Sequence, residues 1–425
     1  MRNRSLSYDV VVIGGGLSGA LAAASARRMG AKVALLAEGA GMMELSSGCI
    51  DLLGAMPDGR PVCRPWESLV ELIAAQPDHP YALVGMDAIG DAMAAYHFLC
   101  TMMGKTYRIS GDAQNQWLVT ATGHLRPTYY AASGMVPPRS DEPLWVVGFS
   151  GMTEFHPGVV AEGLRQSLPD APVTWAWVDL PESDDLHPLR IALRMEDPAY
   201  RKAFIARLLA ARPAGFTQGL VLLPAVLGLD QAKLVRGEIR AALGAPISEV
   251  SLLSPSIPGL RLSALWSRYL QQDQVDLMLG VRVTDADVVS GRVLGVRAHG
   301  PGGTVEYQAG AFVLAGGGLL GRGLVEEGRT LLEPIFGLPV ELPDPATRWA
   351  EPELLPVQGH SFVQAGIRVD QSLRPAGWEN LFVCGKMLAG YDPYGTGCGG
   401  GVAVATGWQA GRLAAAMRTV GGAVR

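Results

Sequence analysis

The segment Tyr8-Asp-Val-Val-Val-Ile-Gly-Gly-Gly-Leu-Ser-Gly19 joins an apolar strand to a glycine-rich turn close to the N-terminus. Its glycines follow the pattern Gly14-x-Gly16-x-x-Gly19, in which they allow a tight turn, close approach of the backbone to a phosphate, and close packing of a helix. Residues 20–29 predict that helix, and its N-terminal N–H groups would face the phosphate. The segment therefore predicts a Rossmann-type site for a dinucleotide or a flavin.

Polar residues just after the next strand extend this predicted site. Residues 32–37 predict a strand that ends at Glu38, about twenty residues after the glycines, where an acidic group accepts hydrogen bonds from a ribose diol. We therefore expect Glu38 to contact a ribose or ribityl hydroxyl. Ser46, Ser47 and Gly48 can offer hydroxyl and backbone donors to a phosphate or to the edge of a flavin ring. The alternative for these three is a polar loop that caps the next helix.

A second glycine-lined helix N-terminus lies near the other end of the chain. The run Gly390-Tyr-Asp-Pro-Tyr-Gly-Thr-Gly-Cys-Gly-Gly-Gly401 precedes an alanine-rich helix predicted at 402–418. The positive end of a helix stabilises negative charge. We expect Gly399, Gly400 and Gly401 to face the ring side of a flavin, where they would raise its affinity for electrons. The alternative is a glycine-rich surface loop.

The order of predicted elements indicates an interrupted domain. The chain has 425 residues, above the limit of about 250–300 residues for a single core. Apolar strands that run into glycines at 311–318 and 380–385 indicate that the nucleotide domain resumes late, and strands alternate with helices in the middle of the chain. We predict an α/β protein: a Rossmann-like flavin-binding domain with a parallel sheet (1–141 and 261–425), interrupted by an inserted smaller α/β domain (142–260).

Composition excludes several classes of partner. The net charge of −5 and the absence of a long Lys/Arg run make nucleic acid an improbable partner. The five cysteines include no Cys-x-x-Cys pair, so we expect no iron–sulfur cluster, no disulfide framework and a reducing cytoplasm. We expect no bound metal, because the histidines show no ligand spacing. No stretch of about 20 apolar residues predicts a transmembrane segment of its own.

Candidate catalytic residues are few. Oxidation of an alcohol by a flavin needs a base for the hydroxyl proton, and His79 and His360 are the most plausible of the histidines, although a structural role is the common alternative. A phosphorylated substrate would favour arginine, whose planar fork matches phosphate oxygens. Arg126, Arg261 and Arg322 lie in loop-like contexts near apolar strands or glycine turns, and their alternative is a solvated surface position.

Several segments together resemble one flavoprotein family. Besides the two glycine runs, they are Ser46-Ser-Gly-Cys-Ile-Asp-Leu-Leu53, Met56-Pro-Asp-Gly-Arg-Pro-Val62, His79-Pro-Tyr-Ala-Leu-Val-Gly85 and Val146-Val-Gly-Phe-Ser-Gly151. From end to end, the sequence resembles the B subunits of anaerobic glycerol-3-phosphate dehydrogenases. The glycine runs are general to flavoproteins, whereas the Ser-Ser-Gly and His-Pro-Tyr segments are more specific.

The resemblance implies a flavoprotein subunit of a complex that oxidises sn-glycerol 3-phosphate to dihydroxyacetone phosphate. Electrons would pass to a quinone, with fumarate or nitrate as terminal acceptor. It also implies a catalytic flavin subunit as partner, and an iron–sulfur subunit that docks both at the inner face of the cytoplasmic membrane. The implied cofactor is FMN, whereas Glu38 favours FAD because FMN has no adenosine ribose.

Two other functions fit the same residues. A stand-alone flavin oxidoreductase like fumarate reductase would need an arginine proton donor and carboxylate-binding residues, and no convincing set is evident in the sequence. A non-catalytic subunit, serving assembly or electron relay, would need no acid–base pair in this chain. Both remain open at the level of sequence.

Overall fold

The computed structural model describes residues 4–105, 107–181, 186–252, 256–328, 330–342, 350–353 and 359–421. The chain forms two compact units, the first from Met1–Met42, Asp51–Gly104 and Leu265–Arg425, and the second from Met43–Ile50 and Lys105–Ala264. The second unit is therefore larger than the predicted inserted domain at 142–260.

Backbone hydrogen bonds explain the larger second unit. Ile50 and Tyr130 exchange two of them, at 3.0 and 2.9 Å, and Glu249 N–H donates to the Gly134 carbonyl at 2.8 Å. Residues 43–50 and 105–141 thereby attach to the strands of the inserted part. The predicted boundaries at 141/142 and 260/261 need this correction.

Strands of both units alternate with helices along the chain. In chain order the strands are β1 (Arg4–Ile13), β2 (Val33–Ala37), β3 (Tyr107–Arg108), β4 (Gln116–Val119), β5 (Leu125–Thr128), β6 (Ala131–Ala132), β7 (Leu144–Phe149), β8 (Val173–Val178), β9 (Leu220–Pro224), β10 (Ile247–Val250), β11 (Asp276–Leu279), β12 (Arg282–Val289), β13 (Arg292–Gly300), β14 (Gly303–Leu314), β15 (Val325–Glu327), β16 (Thr330–Leu332), β17 (Val340–Glu341), β18 (Gly366–Ile367) and β19 (Leu381–Val383).

The α-helices are α1 (Leu17–Arg28), α2 (Pro65–Ala75), α3 (Pro80–Val84), α4 (Met86–Met102), α5 (Pro157–Ser167), α6 (Pro188–Arg194), α7 (Pro198–Ala210), α8 (Ala232–Leu243), α9 (Ile257–Gln272) and α10 (Gly399–Gly421). Short 3-10 turns occur at Gly41–Leu45, Ser361–Gln364 and Gly385–Met387. Across the part of the chain that the structure describes, no helix is both long and apolar enough to span a bilayer.

The first unit is built on one sheet that joins both ends of the chain. Its order is β11-β2-β1-β14-β13-β12, and β19 pairs with the end of β14. β11, β2, β1, β14 and β19 are parallel, whereas β12, β13 and β14 form an antiparallel meander. Val10–Val12 of β1 and residues 311–314 of β14 are fully buried. A parallel sheet buried on both faces needs such uninterrupted apolar runs, and this confirms the predicted Rossmann-like α/β class.

Helices α1 and α10 pack together with little space between them. Side chains added at Gly407 and Gly411 of α10 would collide with the backbone of Ser18 and Ala22 of α1. The small residues of α1 are buried on the other side of this contact. The helices can therefore approach closely, and α10 is fixed against the helix that follows the glycine fingerprint.

The second unit has its own parallel sheet of order β10-β9-β7-β8. All residues of β7 are buried, whereas β8 at the edge exposes Trp175 and Trp177. Helices α5, α7 and α8 contribute Val160, Phe204 and Ile239 to the core of this unit. The alternation of strands and helices predicted for the middle of the chain is present in this unit.

Candidate functional site

The glycine fingerprint forms a close-packed turn between β1 and α1. Gly14 has a φ of +116°, and a side chain there would collide with the Ala315 carbonyl. A side chain at Gly19 would collide with the Gly14 carbonyl. Gly14 and Gly19 therefore bring the start of α1 directly against the end of β1, as the sequence pattern predicts.

Gly16 differs from these two glycines because it faces open space. It is the N-cap of α1, and no side chain makes a capping hydrogen bond there. No atom of the described residues lies within 4 Å of a Cβ placed on Gly16. The first turn of α1 also contains no acidic residue. An uncapped, open helix N-terminus of this kind fits a phosphate group.

Three turns meet at this edge of the sheet, each following a parallel strand. A side chain on Gly15, after β1, would lie 2.5 Å from the Gly39 carbonyl, after β2. Gly316 begins the glycine turn after β14, and its N-terminal neighbour Ala315 donates a hydrogen bond to Ile13 at 2.8 Å. Ligands of open α/β sheets bind at the carboxyl ends of the strands, which is where these turns lie.

Glu38 lies directly after the end of β2 and is half-exposed. Its carboxylate forms an ion pair with the guanidinium group of Arg282, whose side chain is 56% exposed. This hydrogen bond raises the pKa of Arg282 above its ordinary value. Exposed ion pairs of this kind contribute little stability, so the carboxylate can exchange Arg282 for a hydroxyl group. Its predicted contact with a ribose or ribityl hydroxyl stays a prediction.

Ser46, Ser47 and Gly48 belong to the second unit, where they form local turns. The Ser46 hydroxyl donates to the Met43 carbonyl at 2.8 Å and accepts from Gly48 N–H at 3.2 Å. The Ser47 hydroxyl accepts from Cys49 N–H at 3.3 Å. These hydrogen bonds are what the polar-loop alternative requires, and the predicted cofactor contact of the three residues stays a prediction.

Helix α10 begins at Gly399, three residues before its predicted start. Gly401 N–H donates to the Asp51 carbonyl at 2.9 Å, and a side chain at Gly401 would collide with the Tyr81 hydroxyl. Gly401 is thus required for packing, and its N–H is already used. Gly399 and Gly400 are half-buried in the first turn, so the predicted contact with the ring side of a flavin now rests on these two.

His79 is the buried N-cap of α3. Its Nδ1 accepts a hydrogen bond from Tyr81 N–H at 3.1 Å, while the described residues provide no partner for Nε2. Burial lowers the pKa of His79 to about 4, so the ring is neutral at pH 7. Because Nδ1 accepts, the proton is assigned to Nε2. His79 therefore has no free lone pair in this structure and is not placed to be the proton acceptor that the sequence analysis expected.

His360 is half-buried before the 3-10 turn at Ser361–Gln364. Its Nδ1 accepts from Glu351 N–H at 3.0 Å, and its ring stacks on Phe362 with centroids 5.7 Å apart. As in His79, the lone pair of Nδ1 is used by a backbone N–H. A neutral His360 then also carries its proton on Nε2.

Arg261, predicted to bind a substrate phosphate, is occupied by the protein. It donates to both carboxylate oxygens of Glu249 at 2.9 Å and to the Gly228 carbonyl. Burial raises the pKa of Glu249, but Arg261 and Arg236 more than offset this and hold it below its ordinary value. Removing Arg261 would leave the buried Glu249 carboxylate with Arg236 as its one arginine partner among the described residues. Its predicted phosphate role needs correction for this reason.

The other two candidate arginines are exposed. Arg126 lies on β5 in the second unit, and Arg322 lies in the first unit in a turn with a φ of +64°. Neither position contradicts a phosphate contact, so both stay predictions.

The sequence analysis overlooked Lys386. Its Nζ atom is buried without a hydrogen-bond partner among the described residues and lies 5.0 Å from the centroid of the Tyr391 ring. Burial lowers the pKa of Lys386 to about 8. The sequence signal that could have identified Lys386 is its position directly after the predicted strand at 380–384 and Gly385. The nearby Cys398 is a buried packing residue, because burial raises its pKa to about 12 and suppresses thiolate chemistry.

Comparison with known proteins agrees with this geometry. The family model described as "FAD binding domain" matches residues 9–402, and the chain belongs to this class of flavoproteins. It is 33% identical to the B subunit of the anaerobic glycerol-3-phosphate dehydrogenase of Pectobacterium carotovorum subsp. carotovorum, covering 94% of this chain and 96% of that relative. A relative of the same name from Vibrio cholerae serotype O1 is 29% identical over 95% of this chain and 96% of its own length. The chain is therefore a member of the family of anaerobic glycerol-3-phosphate dehydrogenase B subunits.

Among solved structures, the chain is similar to FrdA of E. coli quinol fumarate reductase. The TM-score is 0.45 at 12% identity, covering 99% of this chain and 72% of that chain.

Proposed function

We propose that this chain is a flavin-containing subunit of a complex that oxidises sn-glycerol 3-phosphate to dihydroxyacetone phosphate and passes the electrons to a quinone. Fumarate or nitrate would be the terminal acceptor. The observation that carries this proposal is the similarity over 94% of the chain to a relative of that name. The open N-terminus of α1 at Gly16 supports it, because every flavin nucleotide has a phosphate to place there.

FAD is the cofactor that the residues favour. Glu38 stands at the end of β2 with an exchangeable, exposed partner, in the position that binds an adenosine ribose in Rossmann sites. The matching family model is that of an FAD binding domain. FMN, which the resemblance implies, is the alternative and would leave Glu38 without a ribose. Heat release of the cofactor followed by chromatography distinguishes the two flavins.

Within the complex, we place electron relay in this chain and hydride abstraction in the partner flavin subunit. A bound flavin supplies acceptance of a hydride or of electrons. Oxidation of an alcohol also needs a base with a free lone pair, yet His79 and His360 both use their Nδ1 lone pair for a backbone N–H. If hydride transfer does occur here, His79 or His360 would first have to release this backbone hydrogen bond to act as the base.

The proposed partners follow from the names of the relatives, which are those of one component of a larger enzyme. A catalytic flavin subunit would bind this chain directly, and an iron–sulfur subunit would hold both at the inner face of the cytoplasmic membrane. The chain itself would be a peripheral, cytoplasmic component.

A spectroscopic experiment on the purified chain tests the proposal. Flavin absorption bands are expected in the wild type, and they should be weaker in Gly16→Ala, which retains less flavin. Under anaerobic conditions, bleaching by glycerol 3-phosphate only after the partner flavin subunit is added supports electron relay, whereas bleaching of the isolated chain places hydride transfer here. A colourless wild-type protein contradicts the flavin assignment. Reoxidation of the isolated, dithionite-reduced chain by fumarate would favour a stand-alone reductase instead.

A further inference from the structure

Lys386 lies at the same edge of the sheet as the glycine fingerprint. It follows β19, which pairs in parallel with β14. Its Cγ is 2.9 Å from the position that a side chain on Gly318 would occupy. Gly318 belongs to the glycine turn after β14, and Ala315 at the start of that turn packs on Gly14. The lysine is therefore part of the region that the cofactor approaches.

The N-termini of two helices lie close to Lys386. Its neighbour Gly385 packs against Ser18 in the first turn of α1, and Lys386 is near enough to Cys398, just before α10, to lower the pKa of that thiol. The N-terminal ends of both helices thus lie close by, and each carries a partial positive charge. A buried ammonium in such a position is unfavourable without an anion.

No carboxylate of the described residues makes direct contact with this ammonium. Asp392 is the nearby carboxylate and opposes the lowering of the Lys386 pKa by burial. Its Oδ1 accepts hydrogen bonds from Tyr394 N–H at 2.9 Å and Gly395 N–H at 3.0 Å. The Nζ of Lys386 has no hydrogen-bond partner in the described ranges. Among the described residues, the Nζ atom is therefore open to a ligand from outside the chain.

We propose that the Lys386 ammonium contacts the flavin ring and neutralises the negative charge that the ring gains on reduction. This inference rests on the proposed flavin function. Two electrons from a reductant such as dithionite and one proton from water leave one negative charge on the ring. Lys386 neither gains nor loses a bond in this step. Its ammonium would bind the reduced flavin more strongly than the oxidised, neutral ring.

The position of Nζ favours the ring over the cofactor phosphate. The phosphate already has the uncapped N-terminus of α1 at Gly16. Nζ instead lies over the ring of Tyr391, in the loop that leads into α10. Gly399 and Gly400 at the start of α10 are the residues expected to face the ring.

The test compares the affinities of oxidised and reduced flavin in three variants of the full chain. Lys386→Met keeps the apolar stem and removes the charge, whereas Lys386→Arg keeps the charge. Lys32→Met is the matched control, because Lys32 Nζ also lies over a tyrosine ring, 4.6 Å from the centroid of Tyr8, but is exposed. Thermal unfolding of each cofactor-free variant verifies folding, and Lys386→Gln replaces the Met variant if that one does not fold.

In Lys386→Met we expect the preference for reduced over oxidised flavin to fall about tenfold, which for a two-electron couple is a drop in midpoint potential of about 30 mV. Lys386→Arg should restore most of the preference for reduced flavin, and Lys32→Met should leave this preference unchanged. The cofactor-free Met variant should be no less stable than the wild type, since an uncompensated charge is removed.

Two results overturn the inference. An unchanged potential in Lys386→Met shows that the lysine does not sense the charge of the ring. An equal loss of affinity for both redox states assigns the ammonium to the cofactor phosphate instead. If the wild type binds no flavin, the proposed function fails as well, whereas flavin binding with an unchanged potential refutes only the role of Lys386.

Discussion

Replacing Gly16 with alanine separates cofactor binding from folding. Gly16 has φ −72° and ψ −179°, which alanine adopts without strain. No atom of the described residues lies within 4 Å of the added methyl group. Alanine is a poorer N-cap than glycine, but the difference is at most about 1 kcal/mol. The cofactor-free Gly16→Ala protein should therefore unfold at nearly the wild-type temperature.

Flavin binding should respond strongly to the same methyl group. A phosphate that accepts hydrogen bonds from the start of α1 must approach Gly16 closely, and the methyl group would occupy that space. Loss of one charge-assisted hydrogen bond costs about 1.5–3 kcal/mol. Since each 1.4 kcal/mol is about a factor of ten in affinity, Gly16→Ala should bind flavin about 10- to 150-fold more weakly.

Fluorescence titration of the cofactor-free protein with FAD and FMN measures this change. Gly90→Ala is the matched control, because an added Cβ on Gly90 in α4 also meets no described atom within 4 Å beyond its chain neighbours and the backbone of its own helix. The control should keep wild-type affinity, and a small rise in stability is expected from the higher helix propensity of alanine. Wild-type flavin affinity in Gly16→Ala would show that no phosphate approaches this turn.

Three further predictions concern buried groups. In urea titrations, Glu249→Gln should lower the free energy of unfolding by about 3–5 kcal/mol, because its two arginine partners lose their counter-charge. The control Glu67→Gln, at an exposed position, should change the free energy of unfolding by less than about 1 kcal/mol. The free energy of unfolding should fall by up to about 3 kcal/mol as the pH is lowered from 6.5 to 4. The pKa of His79 is lowered to about 4 in the folded state, so the unfolded chain takes up the proton first. If His79→Asn shows the same dependence of unfolding free energy on pH as the wild type, this explanation is contradicted. In the native protein, iodoacetamide should modify the exposed Cys63 well before the buried Cys398, because the pKa of Cys398 is raised to about 12. Equal modification rates of the two cysteines, measured by mass spectrometry, would refute this argument.

Local patterns were sufficient to predict the first β–α–β unit of the fold. The apolar run before Gly14 and the spacing to Gly19 reflect contacts between elements that are adjacent in sequence. Both features can therefore be recognised from the sequence alone. The hydrogen bonds between Ile50 and Tyr130 join segments that are distant in sequence. Short segments such as 43–50 carry too little periodicity to indicate which unit they join, so the domain boundaries were inaccurate.

The sequence also contained a signal for the role of His79 that went unused. His79, His156 and His187 each precede a proline, and each accepts a backbone N–H at the start of a helix. Proline is favoured at the first position of a helix, so the repeated His-Pro pair indicates helix capping. Burial distinguishes His79 from the other two, and burial depends on tertiary packing. The pairing of Arg261 with Glu249 was likewise invisible, because it requires β10 and α9 to be in place.

The parallel pairing of β1 with β14 has a consequence for the synthesis of the protein. The fingerprint turn is backed by Ala315, and α1 is held by Gly407 and Gly411 of α10. While the ribosome is still adding the residues from Ala315 onward, β1, α1 and β2 have been synthesised without these neighbours. The second unit has its strands complete by Val250 and can fold during that interval. We therefore expect the fingerprint turn to reach its final packing only after α10 has been synthesised.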